Sequence, residues 1–131
     1  MSYALSIDLV KPFDEVVPQV KQALAANGFG IVAEIDMQKT LHDKIGVEIP
    51  PHLILGACNP RLAHQALGLE PAIGLLLPCN VVIRRTGEVT VVEAINPETL
   101  VALTENPSMA TFAHDVTSAL NAALELVRDA P

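Results

Sequence analysis

The stretch LLLPCNVVIRRTGEVTVVEAI, residues 75–95, constrains the fold more than any other part of the chain. Two apolar, β-branched-rich runs, Leu75 to Arg85 and Glu88 to Ile95, flank Thr86-Gly87. Glycine supplies the positive φ that a tight turn needs, so this pattern reads as an antiparallel hairpin. A hairpin this apolar cannot stand alone in water. The remaining chain must add strands beside it and an apolar helix face over it.

The flanking segments offer both. Ser2 to Val10 alternates, with Tyr3, Leu5, Ile7 and Leu9 on one face and Ser6 and Asp8 on the other, as in a half-buried strand. Phe13, Val16, Val17, Val20 and Leu24 recur at helical spacing, and Asn27-Gly28 supplies a stop. Pro18 falls inside this pattern, so the helix is expected to start late or bend there. Phe29 to Ile35 alternates as a second strand. Asp36 can then cap a short helix, Met37 to Lys44, closed by Gly46.

Pro50-Pro51 separates that helix from a strand over His52 to Cys58. Asn59 is a favourable N-cap and Pro60 a favourable first helical residue, which predicts a helix over Arg61 to Leu67 ended by Gly68. Asn96-Pro97 repeats the cap before a helical turn, Glu98 to Leu103. Asn106-Pro107-Ser108 opens a last helix with Phe112, Val116, Leu120, Ala123, Leu124 and Val127 in one stripe. The expected fold class is α+β: one domain over residues 1–131, with a mainly antiparallel sheet and helices packed on one face.

Composition limits the function. Half of the 131 residues are hydrophobic, but only 3% are aromatic, so the core is aliphatic and few rings can stack bases, sugars or flavins. Fifteen acidic and eight basic side chains give a net charge of −7, and no basic cluster exceeds Arg84-Arg85. Nucleic acid and anionic membranes are therefore not expected partners. The run Ala72 to Ile83 is broken by Gly74, Pro78 and Asn80 and is too short to span a bilayer. No leader pattern opens the sequence, and two cysteines do not form a disulfide framework. A reducing, cytoplasmic location follows as the expectation.

Four blocks then carry a family likeness: GFGIVAEID (Gly28 to Asp36), ILGACNPRLAHQAL (Ile54 to Leu67), IGLLLPCNVVI (Ile73 to Ile83) and AINPETL (Ala94 to Leu100). Together they resemble the domain-of-unknown-function 302 family, collinearly over nearly the whole chain. Matching positions are Cys58, Asn59, Pro60, Pro78, Cys79 and Pro97. The resemblance implies a compact sheet-and-helix domain similar to the TATA-box-binding-protein type of fold, often dimeric. It implies no DNA function and transfers no catalytic residue. This chain departs from the family at His52-Leu53, where similar sequences tend to carry an aromatic and a basic residue.

Among chemically capable residues, Cys58 comes first. It ends a strand and precedes an N-cap, where unpaired N–H groups and the helix dipole favour a thiolate. Buried free cysteine is, however, among the commonest core residues. Cys79 follows Pro78 and reads as a small core residue at a bulge within its strand. Should the two strands be neighbours, the thiols could approach each other or share a ligand. A disulfide would need Cα atoms about 4.4–6.8 Å apart. Asn59, Asn80 and His64 complete the candidate site, with Asn59 a cap first and a ligand second.

His42, His52 and His114 show no metal-ligand spacing, and His114 lies on the polar side of the last helix. No phosphate-binding glycine loop occurs, and the carboxylates are scattered. No cofactor is specified and no reaction is indicated. Three functions compete: a dimeric domain binding a small ligand near Cys58 and Cys79, a thiol redox or metal module using the same cysteines, and a purely structural or partner-binding domain.

Overall fold

The computed structural model describes residues 2–131. Five strands, β1 (Ala4–Leu9), β2 (Gly30–Asp36), β3 (His52–Cys58), β4 (Cys79–Thr86) and β5 (Val89–Ile95), form one sheet in the order β1-β5-β4-β3-β2. Every neighbouring pair is antiparallel. The helices are α1 (Phe13–Ala26), α2 (Met37–Ile45), α3 (Pro60–Leu69), α4 (Pro97–Thr104) and α5 (Ala110–Asp129). This is the expected α+β architecture.

Register explains the burial. Ile7, Val92, Ile83 and Leu53 share one row across the inner face; Leu5, Ala94, Val81 and Leu55 share the next. The α5 stripe Phe112, Val116, Leu120, Ala123, Leu124 and Val127 joins this inner face and the α1 residues Val16, Val20, Ala23 and Leu24 in one core. Thr90 is the only fully buried polar residue of the described core. Its hydroxyl donates to the Lys11 carbonyl at 2.7 Å, and Arg85 Nη1 donates to both groups, which ties the β1–α1 connection to the hairpin.

Capping matches the sequence closely. The side chains of Asp36, Asn59 and Asn96 each accept a backbone N–H at the start of α2, α3 and α4. Gly46 closes α2 at φ 69°, a conformation glycine adopts without strain.

Six expectations are corrected. α1 begins at Phe13 rather than late. Pro18 is exposed, so its ring points outward, and only the bond its missing N–H would have made is absent. α3 runs through Gly68 to Leu69. Tyr3 lies outside β1 and is 71% exposed. The last helix begins at Ala110 after a 3-10 turn, Pro107–Met109, because Asn106 caps that turn first. The largest correction concerns Leu75 to Pro78, which is not strand: Pro71–Leu76 winds as a 3-10 helix and β4 starts only at Cys79. Pro78 has no N–H to give a ladder, so pairing starts one residue after it. The bulge expected near Cys79 lies instead in β2, between Ile31 and Ala33.

Burial makes a direct forecast. Leu120, 1% exposed at the middle of the α5 stripe, should cost about 2–5 kcal/mol when cut to Ala. Leu126, 52% exposed on the same helix, should cost under about 0.5 kcal/mol. Urea unfolding of the two variants measures the difference. Equal losses would show that α5 does not use this stripe.

Candidate functional site

β3 and β4 are neighbours, and Ala57 pairs with Cys79, so Cys58 and Cys79 end up at one end of the sheet. Both line a narrow recess of about 20 Å³ together with Phe29, Leu62, Leu77 and Pro78. A space of that size holds roughly one water molecule. Cys79 is buried, whereas Cys58 is only partly covered. Both thiols are free.

Two glycines shape this end. A Cβ on Gly56 would stand 2.8 Å from Pro78 Cγ and 3.2 Å from Ala33 Cβ, so the Pro78 ring occupies the notch that the missing side chain leaves. Gly28, at φ +86°, brings its turn so near α3 that a Cβ would stand 2.9 Å from Asn59 Nδ2. Asn59 is held as well by its cap, Oδ1 accepting from the Leu62 N–H at 3.1 Å. It borders the recess as a fixed group and not as a free ligand.

Burial, reinforced by the nearby Cys58, pushes the Cys79 thiol up from 9.0 to about 11. It is a neutral thiol at physiological pH and a poor nucleophile. Of the two, only Cys58 combines exposure with the position before a helix start. No group of three His, Cys, Asp or Glu among the described residues is placed to hold a metal ion.

The Leu77-Pro78 wall is shared with a second, larger hollow of about 250 Å³, lined also by Leu75, Leu76, Asn80, Ile95 and Leu100. Leu75 stands 88% exposed at its edge. Asn80, exposed and opposite Gly56 in the ladder, contributes the polar side chain of this groove. The structure therefore brings Cys58, Asn59 and Cys79 together and sets Asn80 just across Pro78. His64 is exposed on α3 and lines neither hollow. Sequence reasoning missed the groove, because it treated Leu75 to Pro78 as strand. The available signal was the pair of prolines, Pro71 and Pro78, around Gly74.

Residues 5–127 match the family model described as domain of unknown function DUF302. The chain belongs to this family. An uncharacterized conserved DUF302 protein from Bacillus stearothermophilus, solved by crystallography, superposes with a TM-score of 0.92 at 25% identity, covering 98% of this chain and all of that one. No curated protein matches the sequence. The DUF302 architecture is thus shared with a solved relative, and that relative's description names no activity.

The raised Cys79 pKa makes a pH forecast for this DUF302 chain. The folded state keeps its proton where the unfolded thiol has already lost it. The corresponding stability is complete below pH 9.0 and disappears as pH rises to about 11, on the order of 2–3 kcal/mol in all. Denaturation midpoints across that interval should fall in the native protein and fall less in Cys79→Ala. Parallel curves would show that Cys79 is not desolvated.

Proposed function

We propose that this chain is a small, self-associating binding domain of a reducing, cytoplasmic compartment, without an enzymatic role of its own. Its ligand is a small, mainly apolar molecule seated in the Leu75–Leu100 groove, with one group directed past Pro78 towards Cys58. The observation that carries this reading is the wall of Leu77 and Pro78, which borders both the thiol recess and the groove. The recess takes no more than a water-sized group, whereas the groove approaches the roughly 300 Å³ lower bound of ordinary ligand sites. Apolar side chains with one exposed amide, Asn80, and further polar surface between them suit an apolar body that also carries hydrogen-bonding groups.

A thiol reading is second. It is supported by the partial exposure of Cys58 just before the α3 N-cap, and it gives Cys79 only a packing role.

The test is an NMR titration of ¹⁵N-labelled protein with octanoate, octylamine and indole in parallel. Shifts should concentrate on Leu75 to Asn80, Leu100 and Cys58 for at least one probe. Leu100→Trp, which fills the groove, should abolish them while the circular dichroism spectrum is kept. Shifts confined elsewhere, or unchanged by Leu100→Trp, would refute the groove as the site.

A further inference from the structure

β1 is one edge of the sheet and pairs with β5 alone. The Asn96 N–H donates to the Tyr3 carbonyl at 2.8 Å, which fixes the sense of the ladder: Tyr3, Leu5, Ile7 and Leu9 turn their backbone groups towards β5. The N–H and C=O of Ala4, Ser6 and Asp8 therefore point away from the sheet. Those of Ala4 are met by the Ser2 hydroxyl. Those of Ser6 and Asp8 meet no partner among the described residues. Beside this row α5 leaves a hollow of about 350 Å³, lined by Leu5 and Ile7 of the strand and by Asn121, Leu124, Glu125 and Arg128 of the helix.

From this arrangement we infer that the β1 edge is a docking site for an extended segment of another protein, which adds as a further strand beside β1 and seats alternate side chains between β1 and α5. The site is independent of the ligand groove proposed above, since the two share no residue.

The backbone selects the class of occupant. Ser6 and Asp8 each present a donor and an acceptor along the edge, a pattern that another extended backbone matches and that a helix or a small molecule does not. β1 also lacks the usual protections of an edge. Ala4–Leu9 carries no proline or lysine, and its register with β5 runs without a bulge. β2, at the opposite edge, is blunted by the bulge between Ile31 and Ala33 and by the carboxylates Glu34 and Asp36.

Side chains and charge narrow it further. On the hollow side, Leu5, Ile7 and Leu124 offer apolar contact. On the other side of the strand Asp8 is exposed and forms no salt bridge among the described residues. The chain as a whole carries −7. A strand that alternates apolar and basic residues complements both sides: its apolar groups enter the hollow, and a lysine or arginine lies across from Asp8. Another copy of this chain is equally acidic, and its own β1 has no cation to set there.

NMR titration and amide hydrogen exchange test this with an acetylated, amidated peptide of alternating valine and lysine, against the same peptide with glutamate for lysine. The lysine peptide should shift Ala4 to Asp8 and Asn121, and should slow exchange of the Ser6 and Asp8 amides at least tenfold. The glutamate peptide should bind at least tenfold more weakly. Ser6→Pro removes an outward donor without breaking a bond to β5, so it should keep the circular dichroism spectrum and lose these effects. Asn121→Trp, which fills the hollow from an exposed position, should lose them as well, and it carries the test if Ser6→Pro does not fold. Shifts confined elsewhere, equal binding of the two peptides, or folded variants that bind as the native chain does would overturn the site. Ser6 and Asp8 amides already protected before peptide is added would show the edge closed by another copy, and would overturn it too.

Discussion

The contact on which the other features depend is the apolar stripe of α5 laid against the inner face of the sheet. Six buried residues of α5, from Phe112 to Val127, share one core with strands whose inner rows are Leu, Ile, Val and Ala. With so few aromatic residues, close packing of aliphatic side chains must supply most of the burial. α1 lies beside α5 over the same face and completes this layer. The consequence is asymmetry. One face of the sheet becomes core, and the other, which mixes Val and Ile with Ser6, Asp8, Arg84 and Glu93, stays outside it.

The same packing sets the thiol end. α3 follows β3 through the Asn59 cap, and its contacts to α5 draw it into the helix layer. That movement leaves the end of β3 beside the start of β4, where Pro78 drops into the Gly56 notch. Cys79 is thereby sealed and Cys58 left at the margin. The chemical difference between two similar-looking Cys-Asn segments comes from this placement. One asparagine is fixed by capping a helix, and the other, Asn80, faces solvent on the outer side of the sheet.

Much of the fold is legible in the sequence where local chemistry and burial agree. β3 matches its expected ends, because Pro50-Pro51 closes one side and the Asn59-Pro60 helix start closes the other. α2 follows its Asp36 cap and Gly46 stop for the same reason. Legibility fails where apolar runs lack a period. Leu75, Leu76 and Leu77 give no alternation to separate strand from 3-10 helix, and the outcome is set by prolines and by the Pro78–Gly56 contact across strands. Of the candidate site, the nearness of Cys58 and Cys79 depended on strand order, which no local signal encodes. The groove beyond Pro78 was hidden by the same misread run. The apolar outer residues of β4 and β5 were visible in sequence, but which face the helices would take was not.

The central claim is that α5 and α1 seal one face of this sheet into the core, while the residues of the other face stay outside it. Methyl NMR of Ile, Leu and Val side chains with a soluble paramagnetic probe tests it most directly. The account predicts that the Ile35 methyls relax strongly and those of Ile54 and Val82 to a lesser degree, while Leu55, Val81 and Ile83 stay protected. Equal probe access for the methyls of the two faces would contradict it.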